Sequence, residues 1–414
     1  MILIYTSQIT NRLTYVLDFC FKSKLCEFKI TDNLTDFDIY EGTKINYSTE
    51  NIGSNLTIEP EGLLEELDIN NTKNIAFKNE EWEISGIKDD FSLIFYFLTC
   101  YEEYVIKTRD DHDRFSAKNS VFTLYNRLDY PNVDLIIKSI WDKLELDYSI
   151  VQKQYNTILT FDIDSAWAVK NKSFGRKIGG DLKSILKGES LKDKKAIRQN
   201  INPDPFDTFN QILDLSQDYN VICFILLGNW GKYDKNIQWK NKHFKVLTEN
   251  LSKKIKLGIH PSYRSYLKGD VVKKEIKRLN QITGLTTIKS RQHFLKLKLP
   301  ESYNILLKNG IKEDFSMGFA DGYGFRAGTC FPFYFFELNQ NLVTNLKVFP
   351  ITYMDGTLNQ YLNKSIPDSI AIVSTLKMRI KDVGGYFIPL WHNETIGEHG
   401  IWKGWTKVFN ESLD

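Results

Sequence analysis

The stretch Thr160-Phe161-Asp162-Ile163-Asp164, preceded by Ile158-Leu159, reads as a buried strand that stops at two carboxylates. Side chains alternate faces along a strand, so Asp162 and Asp164 emerge together on one side of its end. Two like charges at the end of an apolar strand are unfavourable unless a metal ion or a proton relieves the repulsion. The competing reading is a plain exit from strand to solvated loop. The histidines downstream weigh against it.

From about residue 156 onward, buried strands alternate with helices, the pattern of a parallel α/β sheet or barrel. Strands are expected at 157–161, 221–227 and 255–259, and helices at 271–282 and 303–307. Residues 1 to about 150 read as a smaller α/β or α+β unit. It has a strand at Ile2-Leu3-Ile4-Tyr5, a helix over 11–21, short alternating segments from 28 to 58, one strongly apolar helix over 91–106 and another over 132–144. The expected division is an N-terminal accessory domain, 1–150, and a larger domain, 151–414; a chain of 414 residues suits two domains. Residues 170–198 form a basic excursion broken by Gly175, Gly179, Gly180 and Gly188. A solvated lid is the plain reading of it, and a cradle for an anionic glycan or a lipid-linked phosphate the sharper one.

Charge is nearly balanced, 54 basic against 52 acidic residues, which argues against a nucleic-acid binder. The longest apolar run, 221–227, is too short to cross a membrane. The first residues, Met1-Ile2-Leu3-Ile4-Tyr5-Thr6, lack the basic start and cleavage site of a secretory signal, and the five cysteines form no close-spaced metal pattern. A soluble cytoplasmic protein with reduced thiols is therefore expected.

Three of the six histidines, His260, His293 and His392, stand at or near the C-terminal ends of predicted strands. In parallel α/β folds that edge collects ligands and catalytic groups. Asp162 and Asp164 share it. Carboxylates mixed with imidazoles suit a divalent ion, zinc first, with one position open to water. A lone histidine of this kind would more often be a hydrogen-bonded structural residue. His112, within Arg109-Asp110-Asp111-His112-Asp113-Arg114-Phe115, reads as part of a charged surface loop or interdomain ion-pair cluster before it reads as a ligand.

These motifs together resemble the NodB-type polysaccharide deacetylase superfamily, in a bacterial branch with an added N-terminal domain. Thr160-Phe161-Asp162-Ile163-Asp164 resembles its first motif, in which the first Asp is the general base and the second binds the metal. Gly258-Ile259-His260-Pro261-Ser262 resembles the second motif, and Ser290-Arg291-Gln292-His293-Phe294 falls where the third motif's arginine is expected. Ile388-Pro389-Leu390-Trp391-His392 resembles the last, whose His is the general acid. Tyr101-Glu102-Glu103-Tyr104, Asp111-His112-Asp113-Arg114-Phe115 and Gly324-Phe325-Arg326-Ala327-Gly328 look like marks of the branch. The resemblance implies a distorted parallel (β/α) barrel. It also implies metal-dependent removal of an N-acetyl group, with O-acetyl as second choice, from a glycan or glycan precursor.

One position departs from that pattern. The second motif usually supplies two histidines four residues apart, and here the second is Arg264, whose guanidinium has no lone pair for a metal. His293, two residues from Arg291 on the same strand face, is assigned as the substitute. The expected metal ligands are thus Asp164, His260 and His293. Asp162, His392 and Arg291 are the expected catalytic set, with Arg291 pairing Asp162. Arg326, between glycines, suits either a clamp for a substrate carboxylate or phosphate or an internal ion pair. Trp230 and Tyr263 are assigned to substrate binding. The ring faces of Trp167, Trp230, Tyr233 and Tyr323 suit either sugar stacking or loop anchoring.

Two rivals remain. A non-catalytic relative would keep the fold and bind a glycan or a protein partner, and Arg264 sustains that reading. A glycosidase needs carboxyls roughly 5 to 9 Å apart across the bond, a poor match to alternate positions on one strand. The sequence holds no phosphate-binding glycine loop and no nucleophile elbow.

Overall fold

The Asp162 strand lies inside the main sheet rather than at its edge, which is why its residues are buried almost throughout. The computed structural model describes residues 1–173, 175, 178, 181 and 191–413. Most of the basic excursion, with Gly179, Gly180 and Gly188, lies outside the described residues, and with it the expected anion cradle.

The first unit opens with β1 (Ile2–Thr6), β2 (Phe28–Thr31), β3 (Thr43–Tyr47) and β4 (Leu56–Thr57), all parallel in the order β2-β1-β3-β4. β1 is buried at every position, as an inner parallel strand should be. An antiparallel pair follows, β5 (Ile75–Lys78) and β6 (Glu81–Ile84). The single helix expected over 91–106 is two. Asp90–Leu98 is capped by the Asp89 carboxylate, and a second helix runs Glu102–Val105. Cys100 between them takes φ 50°, a left-handed conformation that ends a helix. That break leaves Glu102 and Glu103 buried instead of solvated.

The main sheet contains β7 (Asn156–Ile163), β8 (Asn220–Ile225), β9 (Lys256–Ile259), β10 (Lys289–Ser290), β11 (Glu313–Asp314), β12 (Phe333–Glu337), β13 (Leu342–Val348), β14 (Tyr353–Met354), β15 (Tyr386–Phe387) and β16 (Pro389–His392). Its order is β12-β13-β11-β10-β9-β8-β7-β16-β14, with β15 beside the start of β7. Every pairing is parallel except the β12–β13 hairpin. The chain is therefore an α/β protein with a largely parallel sheet. Among the described residues no pairing joins β14 back to β12. Register brings the chemistry level: Asp162 lies opposite His392 on one side and Phe224 on the other, Phe224 opposite Gly258, and Ile259 opposite Ser290. A Cβ on Gly258 would sit 2.6 Å from the Phe224 ring, so only glycine fits there.

Apolar side chains from both halves form one continuous core. Tyr15 and Phe95 each pack against Phe336 at 5.1 Å between ring centroids, and the Tyr15 hydroxyl donates to the Tyr334 carbonyl. Asp134 accepts from Thr329 Oγ1 and from the Cys330 amide across the same boundary. The five cysteines are free thiols. Among the described residues no helix is long and apolar enough to cross a membrane.

Candidate metal centre

Asp162 is the penultimate residue of β7 and Asp164 stands just past its end. His260 follows β9 directly and its amide still bonds the Ile225 carbonyl, so the strand's pairing carries the ring into place. His293 begins a short turn after β10, in which Phe294 and Leu295 adopt φ of 65° and 49°. Bulky residues take that conformation only where surroundings enforce it. Here Arg114, from the N-terminal half, donates Nη1 to the Phe294 carbonyl.

The donor atoms of Asp164, His260 and His293 lie within 4.8 Å of one another, a candidate metal-binding triad. His260 Nδ1 is 2.7 Å from the Arg291 carbonyl oxygen. A carbonyl only accepts, so Nδ1 carries the proton and Nε2 offers its lone pair to the cluster. Nε2 lies 3.3 Å from Asp164 Oδ1 and 3.6 Å from Asp162 Oδ2. Among the described residues, His260 Nε2 and Asp164 Oδ1 are buried atoms without a hydrogen-bond partner. Two orphaned acceptors facing each other fit a cation held between them.

His293 completes the group with Nε2 3.2 Å from Asp164 Oδ2 and Nδ1 3.0 Å from Asp234 Oδ1. Burial favours the neutral ring, but the two carboxylates outweigh it and push His293 up to about 9. Burial likewise opposes ionisation of Asp164, yet His293, with His392 beside it, holds its carboxyl well below the usual carboxylate range. The second partner of His293, Asp234, also accepts from the amides of Tyr263 and Arg264. It thereby anchors the turn after His260 and orients the ring, as outer carboxylates do at metal sites.

Asp162 is nearly inaccessible, 2% exposed, and accepts from Arg291 Nη1 at 3.1 Å. Arg291 is fixed in turn by Thr160 Oγ1 and the Phe315 carbonyl, with Phe224 under its guanidinium at 4.5 Å. His392 Nδ1 sits 2.8 Å from Asp355 Oδ1, and its Nε2 is 3.9 Å from Asp164 Oδ2. Burial disfavours the imidazolium, but Asp355, Asp164 and Asp162 hold His392 well above its ordinary value. The site thus presents a carboxylate braced by a guanidinium and a histidine held in its acid form.

The other expected residues lie apart from this cluster. Arg264 is exposed, and its side chain passes Gly231 on the way to a separate cavity. Arg326 is 3% exposed and its fork is filled by Glu103, Nε to Oε1 at 2.7 Å and Nη2 to Oε2 at 2.6 Å. The substrate clamp is replaced by an internal ion pair between the two halves, because both charges are buried and already matched. Tyr263 packs on Tyr233 at 4.3 Å and its hydroxyl meets His112 Nδ1 at 3.1 Å. His112 therefore joins an aromatic cluster with Tyr233, Tyr263 and Phe294, outside the triad. Trp167 is buried against Phe244, whereas Trp230 is 53% exposed and lines a cleft shared with Trp239.

Sequence reasoning missed Asp234 and Asp355. Asp234 falls in a polar loop, where an acid carries no signal of its own. Asp355 follows Tyr353-Met354, a strand of two residues and too short to read. Its place at the strand edge used by Asp162 was the available clue.

A model of a family described as of unknown function (DUF7033) matches residues 2–149. No curated protein matches the chain. Among solved structures, the chain is similar to a protein provisionally described as a polysaccharide deacetylase from Mycobacterium smegmatis, at 12% identity and a TM-score of 0.40, covering 62% of this chain and 83% of that one. It is also similar to a polysaccharide deacetylase from Bacillus cereus, at 12% identity and a TM-score of 0.30, covering 62% of this chain and 86% of that one. Likeness this coarse carries no residue assignment.

Proposed function

We propose that the chain is a metal-dependent carbohydrate deacetylase, with residues 151–414 as a distorted (β/α) barrel and residues 1–150 as an accessory domain. The observation that carries this reading is the convergence of Asp164, His260 and His293 beside an Arg291-braced Asp162 and an Asp355-braced His392. A bound divalent ion, zinc by the donor set, would polarise the acetyl carbonyl and make a water acidic. Asp162, oriented by Arg291 Nη1, is placed to act as general base toward a water at the site. His392 enters protonated and donates to the departing sugar amine, with Asp355 aiming the ring. N-acetyl is the preferred group and O-acetyl the second, on a glycan or glycan precursor in the cytoplasm.

The test is metal content by plasma mass spectrometry on the wild type and on His293→Ala, followed by an acetate-release screen on acetylated sugars. About one ion per chain in the wild type, lost in the variant, together with acetate release, is expected. The rival is a non-catalytic protein that binds a glycan or a partner. It is favoured by His293, which satisfies two carboxylates in ion-pair fashion. No ion after reconstitution and no acetate would establish it.

A further inference from the structure

The turn that follows His260 also borders a cavity of about 170 Å³, lined by Arg264, Lys268, Lys274, Arg278, Asn229 and Glu275 among others. One water needs only about 10–15 Å³ of such space, so a phosphoryl group has ample room. Four cations border it. Among the described residues none of the four side-chain charges lies within 4.0 Å of a carboxylate oxygen. The buried Glu275, whose oxygens accept from the Ser262 amide and hydroxyl, lies opposite Arg278 and offsets that one cation, leaving Arg264, Lys268 and Lys274. Arg278 is held at the wall by the Leu227 carbonyl and lies 5.1 Å from the Trp239 ring.

The cavity adjoins the Trp230 cleft, of about 420 Å³, and the two share Asn229 and Arg278. An aromatic-walled cleft opening onto a cationic pocket suits a ring that carries a phosphoryl group. It also explains Arg264. The side chain that cannot serve the metal borders the pocket instead.

We propose that this cavity is the phosphoryl subsite for a phosphorylated sugar, with the sugar seated in the Trp230 cleft. That this sugar is the one deacetylated rests on the function proposed above; the binding itself does not. Arg264 and Asp234 connect the two places, since Asp234 accepts from the Arg264 amide with Oδ2 and contacts His293 with Oδ1.

Calorimetry with N-acetylglucosamine 1-phosphate on the full chain, chelator-treated, tests it. The protein is compared with Arg264→Ser/Lys274→Ser and with His293→Ala, and phosphatidic acid vesicles form a second arm for a lipid-linked source. Both substituted side chains of the double variant are exposed, so the fold is retained. Binding that falls at least about tenfold in the double variant and persists in His293→Ala supports the subsite, even if no metal or deacetylation is ever found; tenfold corresponds to about 1.4 kcal/mol. Binding confined to vesicles, and lost in the double variant, supports it for a lipid-linked phosphate. No binding to either probe, or binding unchanged in the double variant, overturns it.

Discussion

His260 Nδ1 donates to the main-chain carbonyl of Arg291 at 2.7 Å, so one residue sets the tautomer of a candidate ligand and, through its guanidinium, holds the Asp162 carboxyl in place. The carbonyl contact aims His260 Nε2 at the cluster, and the guanidinium pairs with the neighbouring carboxylate. Two functions expected from separate motifs are thus mechanically joined at the end of β10.

That junction predicts a large penalty for truncation. Arg291→Met leaves Asp162 buried without its cation, which costs about 3–5 kcal/mol. Urea unfolding should report that loss. A change below about 1 kcal/mol would mean that the Arg291–Asp162 contact does not hold this strand edge together.

Asp234 aims His293, and outer carboxylates of this kind typically contribute ten- to a hundredfold to metal affinity. Asp234→Asn should therefore weaken zinc binding by roughly that factor in a competition titration with a chelator, while still reaching one ion per chain at saturation. Unchanged affinity would remove Asp234 from the site.

In metal-free protein His293 is raised from its ordinary 6.5 to about 9. A raised folded value gives stability that is complete below pH 6.5 and lost as pH rises through about 9. At 1.36 kcal/mol per unit the loss is about 3 kcal/mol. Denaturant midpoints of chelator-treated protein at pH 6 and pH 9.5 should differ in that direction, and His293→Ala should flatten the difference.

Asp355 is the first carboxylate raising His392 against burial. Asp355→Asn removes that charge, so His392 gives up its proton at lower pH. The basic limb of the acetate-release profile should move to lower pH with little movement of the acidic limb. An unmoved basic limb would assign the acid to another group.

Much of the site was legible along the chain because it sits where strands end. Asp162, Asp164, His260 and His392 follow apolar runs whose period and length announce strands, and level register then brings their side chains to one edge. His293 was reachable through Arg291, two positions away on a strand end. The alternation of strands and helices likewise announced the α/β class.

Tertiary structure alone decided which charged residues belong to the site and which to the interior. Arg326 and Glu103 are 223 positions apart, and only packing of the two halves makes them a closed, buried pair instead of a substrate clamp. Asp234 and Asp355 become partners of His293 and His392 because loops from distant strands meet at the same edge. Arg264 lines the second cavity, on a turn that Asp234 ties down at the Tyr263 and Arg264 amides. Periodicity along a chain records which face a residue occupies. The identity of the charge across from it depends on contacts between segments that share no local pattern.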